Sequence, residues 1–142
     1  MGATRVTITV TNPANGKKVD ALFLVDTGSD HSMIPAPLLD SIEVTRRGKR
    51  VYELADGSIR QYDFGFVEIE FLGDVAQARV IFGDPGSEPL LGAIMLEDLG
   101  IVVDPLSKKL FRQPAFPLKA ALGIVTIWVV ATGRFLLGSS GI

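Results

Sequence analysis

Ala21-Leu22-Phe23-Leu24-Val25-Asp26-Thr27-Gly28-Ser29-Asp30 is the stretch on which the reading of this chain turns. An apolar run rich in strand formers delivers one carboxylate, Asp26, into a turn of Thr, Gly and Ser. A carboxylate at the end of a buried strand is costly unless neighbouring donors satisfy it. Thr27 and Ser29 supply hydroxyls, and Gly28 lets a backbone amide come close with no Cβ in the way. The plain alternative is a surface turn after a strand, since Asp, Gly and Ser are common turn residues. By average residue usage the triplet Asp-Thr-Gly arises by chance at roughly one position in several thousand. The triplet alone is therefore suggestive, and its place after an apolar run strengthens it.

Composition bounds the rest. At 142 residues, with 47% hydrophobic and 21% charged residues, the chain is one globular domain large enough for a real core. A net charge of −2 argues against a general nucleic-acid binder. The basic run Arg46-Arg47-Gly48-Lys49-Arg50 reads as a solvated hairpin tip. With no cysteine there is no disulfide framework and no thiolate or zinc–thiolate chemistry. A single histidine, His31, excludes a multi-histidine metal site. It also makes a poor triad member, lying too close in sequence to both Ser29 and Asp26. Neither a metal nor a cofactor is implied. The N-terminus shows no apolar signal region, so a cytoplasmic location is the expectation.

Outward from the central stretch, the pattern is one of strands. Val6, Ile8 and Val10 alternate with threonines, and the turn-rich Asn12-Pro13-Ala14-Asn15-Gly16 should close a hairpin onto Lys18–Val25. Loss of alternation at Leu22–Val25 predicts burial on both faces there. Met33–Leu39 contains two prolines and reads as a loop with a helical turn. Glu43–Leu54 reads as two short strands separated by Gly48. Asp56-Gly57 between β-prone flanks predicts a hairpin. Val67–Phe71 and Val75–Phe82 are further strands, followed by a Gly/Pro-rich loop at 83–89. Ala93–Leu99 is the one short helix expected, with Gly100 as its stop. Ile101–Val103 and Leu106–Phe111 close the series. The fold class is all-β.

These features together resemble the retropepsin-like, single-domain aspartic proteases. The resemblance covers about residues 5–112. It rests on Leu24-Val25-Asp26-Thr27-Gly28-Ser29 and on Leu90-Leu91-Gly92 followed by Leu96-Glu97-Asp98-Leu99-Gly100-Ile101-Val102-Val103-Asp104-Pro105. It implies a closed barrel with one short α-helix near the C-terminal end of a domain spanning residues 1–113, and a dimer. Two carboxylates sharing one proton can activate water and protonate a carbonyl, because like charges that close do not both ionise. This chain has one Asp-Thr-Gly, so the second carboxylate must come from a second copy.

The resemblance then assigns roles. Asp26 from each subunit forms the dyad, Thr27 braces the two loops, Gly28 offers its backbone, and Ser29 hydrogen-bonds the ionised carboxylate. The hairpin Ala55-Asp56-Gly57-Ser58 matches the family's flap. Leu90-Leu91-Gly92 is the strand that crosses beside the catalytic loop. Retroviral members carry an arginine after that glycine, where this chain has Ala93, so Asp30 lacks the family's usual partner and is a candidate for holding substrate backbone. Ile34, Ile59 and Ile94 are the apolar residues expected to line side-chain pockets. The implied function is a homodimeric aspartic endopeptidase acting on peptide or protein substrates. The alternative is a non-catalytic peptide-binding dimer on the same fold.

Residues 114–142 form an apolar extension outside the resemblance. Ala120–Gly133 is uncharged, and as a helix it would span about 21 Å against a hydrocarbon core of about 30 Å. Its β-branched residues favour strand in water. Three readings stay open: an added strand or subunit contact, a membrane anchor across 118–137, or disorder.

Overall fold

The computed structural model describes residues 3–114. The 114–142 extension lies outside the described residues apart from its first position. Strands β1 (Arg5–Thr11) and β2 (Lys18–Val25) form an antiparallel hairpin, paired from Arg5↔Leu24 to Thr11↔Lys18. Asn12, 5% exposed, organises the turn between them. Its Oδ1 accepts from the Ala14 amide at 3.0 Å, and its Nδ2 donates to the carbonyls of Ile42 and Glu43 at 3.0 and 3.1 Å.

Strand β3 (Ser32–Pro35) follows, then helix α1 (Ala36–Ser41), strands β4 (Gly48–Glu53), β5 (Ile59–Phe71), β6 (Asp74–Gly83) and β7 (Leu90–Leu91), and helix α2 (Ala93–Asp98). Strands β8 (Ile101–Val103) and β9 (Leu110–Arg112) form a separate two-stranded sheet. The main sheet has seven strands in the order β1-β2-β7-β3-β6-β5-β4. An additional pairing of β1 with β5, Val10 opposite Ile69, closes the sheet on itself and leaves β4 as an arm on β5. The all-β class read from the strand pattern holds.

Several expectations need correction. There are two short helices, not one: α1 begins directly after β3. The prolines do not forbid the strand, because Pro35 is its last residue and also caps α1. Pro37 sits in the first helical turn, where a missing N–H has no intrahelical acceptor to serve. Gly48 does not separate two strands but opens β4, with the Phe64 ring so close that a Cβ would lie 3.2 Å from it. The basic run is therefore the entry to β4 rather than a hairpin tip. Arg46 pairs with Asp40 at 2.8 Å and stacks 4.3 Å over the Phe82 ring, while Lys49 pairs with Asp63 at 2.7 Å. Burial on both faces does not hold throughout Leu22–Val25, since Phe23 is fully buried but Leu22 is 54% exposed.

The core comes from the inward positions of the closed sheet: Ile8, Val10, Phe23, Ile34, Val67, Ile69, Val80 and Leu91 are all essentially inaccessible. Each such side chain contributes about 1.5–3 kcal/mol relative to exposure. Met95, Leu96 and Leu99 extend this core under α2. The helix ends at Gly100, whose φ of +67° is costly for a residue with a Cβ and which is placed as predicted.

Candidate active site

Strand β2 stops at Val25, and Asp26 is the first residue past it. Its amide is not left free: it donates to the Leu91 carbonyl at 3.0 Å, continuing the parallel pairing of β2 with β7 by one residue. Its carboxylate is half-buried and accepts from the Gly28 amide at 3.0 Å. The Ser29 amide donates to the Asp26 carbonyl at 3.2 Å, which makes 26–29 a tight turn. A Cβ on Gly28 would lie 3.3 Å from Asp26 Oδ1, a tight contact that glycine avoids. Thr27 is exposed at the tip. Ser29 departs from expectation. Its hydroxyl donates to the His31 carbonyl, two residues on, at 3.0 Å rather than to Asp26.

The second segment, Leu90-Leu91-Gly92, is joined to this loop by backbone. Leu91 is fully buried and Leu90 partly so. Beyond them the Gly92 amide donates to Ser32 Oγ at 3.0 Å, Ala93 to the Ser29 carbonyl at 2.6 Å, and Ile94 to the Asp30 carbonyl at 3.2 Å. The first amides of a helix have no partner within it, and here the carbonyls of Ser29 and Asp30 fill that role. Packing is so close that a Cβ on Gly92 would lie 2.5 Å from the His31 carbonyl oxygen. The Asp30 carboxylate itself is exposed and borders an open cavity of about 260 Å³ with His31, Arg79, Ile94 and Asp98.

The third segment is the β4–β5 hairpin. Its tip, Leu54–Ser58, is closed by the Leu54 amide on the Ser58 carbonyl and the Gly57 amide on the Leu54 carbonyl, both at 2.8 Å. Gly57 has a φ of +85°, and Asp56 Oδ1 accepts from the Ser58 hydroxyl at 2.6 Å and its amide at 2.9 Å. Those two bonds, the hydroxyl's first, hold the Asp56 carboxyl below the ordinary Asp range. Ala55 to Ser58 are all exposed. Below the tip, the Tyr52 ring meets the His31 ring edge-on at 5.6 Å, and Arg60 makes a two-pronged ion pair with Asp84 at 3.1 and 3.3 Å.

A model of the family described as aspartyl protease matches residues 5–94, from the first residue of β1 into α2. The chain belongs to the aspartyl protease family. Among solved structures, EIAV protease complexed with the inhibitor HBY-793 is similar with a TM-score of 0.55, at 20% identity, over 70% of this chain and 89% of that one. The retroviral protease-like domain of Ddi1 from Leishmania major is similar with a TM-score of 0.50, at 16% identity, over 80% of this chain and 92% of that one. The fold is retropepsin-like. No curated protein matches the chain.

Within this aspartyl protease fold, Asp26 to Asp30 and Leu90 to Gly92 are brought together, and the hairpin 55–58 stands on an arm that touches the loop through Tyr52 and His31. Of the three isoleucines expected in pockets, Ile34 is fully buried in the core and lines none, whereas Ile59 and Ile94 are 61% and 50% exposed. The alternation of β3 turns Ile34 inward opposite Phe82. Ser32, Tyr52, Arg60 and Asp84 were not singled out from the sequence. Strand register places Ser32, Tyr52 and Arg60, and the loop after β6 brings Asp84 to Arg60; no local residue pattern signals either.

Proposed function

We propose that the chain is a homodimeric aspartic endopeptidase in which two Asp26 carboxyls, one from each copy, share a proton. The reading rests above all on Asp26. This single carboxylate of an Asp-Thr-Gly turn is held by the Gly28 amide just past the end of β2, the strand that sends Phe23 into the core. One such group cannot both take a proton from water and give one to a carbonyl oxygen in the same step. Two facing copies can, the ionised one as base and the protonated one as acid. Exposure of Thr27 fits a side chain whose partner lies on the second copy. An extended peptide would lie between the subunits under the 55–58 hairpins, bound through its backbone, with exclusion of water as the flap closes. Activity is expected to peak at acidic to mildly acidic pH, since at high pH both carboxyls ionise and the acid is lost.

The test is cleavage of a mixed peptide library by the parent and by Asp26→Asn, with folding checked by circular dichroism. The substitution should reduce cleavage by about 10²- to 10⁴-fold or more. A folded Asp26→Asn protein that cuts at the parental rate would rule out the dyad. A parent that dimerises and binds peptide without cutting would establish the binding module instead.

A further inference from the structure

The Tyr52 hydroxyl is the one buried side-chain polar atom among the described residues with no hydrogen-bond partner. A tyrosine there, where a phenylalanine would avoid the loss, needs an explanation. Tyr52 sits on β4, two residues before the flap turn begins, opposite Arg60 on β5. Its ring rests against Tyr62 at 6.2 Å on one side and edge-on against His31 at 5.6 Å on the other.

His31 is not a passive neighbour. Its carbonyl accepts from the Ser29 hydroxyl at 3.0 Å and lies against Gly92 with no room for a Cβ. Asp30 and Ser32 on either side are held by the Ile94 amide and the Gly92 amide. A displacement of the His31 ring therefore acts on a backbone clamped on both sides, two bonded links from the turn that carries Asp26.

We propose that Tyr52 is a positioning residue that keys the flap arm to the catalytic loop through His31. Its hydroxyl receives its missing hydrogen-bond partner from the backbone of the seated peptide when the arm shifts to close over it. This deepens the protease reading and rests on it for the role of the peptide. The ring and the hydroxyl have separate tasks, so the two can be separated by substitution.

The experiment compares the parent with Tyr52→Phe and His31→Ala, measuring KM and kcat on a library-selected peptide and amide hydrogen exchange over residues 29–32. Tyr52→Phe keeps the ring and removes the hydroxyl. KM should rise about fivefold, as for one lost hydrogen bond, with parental exchange and no fall in melting temperature. His31→Ala alters an exposed residue and removes the ring contact. Exchange over 29–32 should quicken about two- to tenfold, the value of an aromatic pair, with kcat falling more than KM changes. A parental KM in Tyr52→Phe, or parental exchange in His31→Ala, overturns the proposal. If the parent neither cuts peptide nor binds its statine analogue, the protease reading fails and the hydroxyl's role with it. The exchange arm then still decides whether Tyr52 and His31 couple flap to loop.

Discussion

The Ala93 amide donates to the Ser29 carbonyl at 2.6 Å, so the first turn of α2 is completed by the loop that carries Asp26. Two segments more than sixty residues apart are thereby one structural unit: the loop supplies acceptors that the helix start lacks, and the helix start fixes the loop. Leu90-Leu91-Gly92 and Asp26-Thr27-Gly28 belong together for that reason. The glycine at 92 is required by backbone contact, not by its dihedral angle.

Gly92→Ala follows directly. The added Cβ would meet the His31 carbonyl oxygen at 2.5 Å, its carbon at 2.7 Å and the Asp30 carbonyl oxygen at 2.8 Å, all of them backbone. The loop must shift to admit it. Urea denaturation should show a loss of about 1–3 kcal/mol, and peptide cleavage should fall further than stability alone accounts for. A variant with parental stability and activity would mean that the loop and α2 are not packed this closely.

Asn12 gives a second prediction, remote from the loop. It is 5% exposed and serves three backbone groups: the Ala14 amide and the carbonyls of Ile42 and Glu43. Asn12→Ala strips partners from groups that water reaches poorly, at a cost of about 1–3 kcal/mol. Asn12→Asp keeps the acceptor for Ala14 but loses both donors and sets a charge beside two carbonyls. It should be no more stable than the alanine variant in equilibrium denaturation.

The acid limb of stability is set at the surface. Hydrogen bonding and charge from Arg5 hold Glu88 below its ordinary value of 4.5, and Lys17 does the same to Glu43. Asp63, beside Lys49 and Arg46, shifts in the same direction. A carboxyl depressed on folding stabilises the native state above its unfolded value and loses that contribution as pH falls through the folded one. Denaturation midpoints should therefore drop below about pH 4.5. Glu88→Gln should narrow the difference between pH 7 and pH 3.5, and added salt should narrow it in the parent, since these pairs are exposed.

Dependence on a second copy is the fourth prediction. If each subunit contributes one Asp26, specific activity must fall as the protein is diluted through its dimer dissociation constant, in step with sedimentation velocity. Mixing the parent with excess Asp26→Asn should suppress activity beyond simple dilution, because mixed dimers hold one acid. Activity per subunit that stays constant into the monomeric range would contradict the shared-proton mechanism.

How much was legible in advance varies with the range of the interaction. The β1–β2 hairpin, the 54–58 turn and the stop of α2 at Gly100 are local effects of alternation, turn chemistry and a residue tolerant of positive φ, and a linear reading finds them. The strand at Ser32–Pro35 is hidden by Pro35 and Pro37, because only its register with β6 shows that Pro35 closes the strand, while Pro37 belongs to the first turn of the helix that follows. The Ser29 hydroxyl bonds the His31 carbonyl, two residues on, instead of Asp26, because residue types alone do not say which of two nearby acceptors the folded loop presents.

By itself the sequence determined the chemistry on offer: one carboxylate at the end of an apolar strand, a glycine beside it, a second apolar-apolar-glycine segment and a chain otherwise made of strands. Those depend on residue type and near neighbours. Tertiary structure alone decided which groups meet. The β1–β5 pairing closed the sheet, β7 slid in beside β2 to hold the Asp26 amide, and Tyr52 came to rest on His31. The reason is physical: contacts between distant segments depend on the register and closure of the whole sheet, a property of the folded chain and not of any one stretch within it.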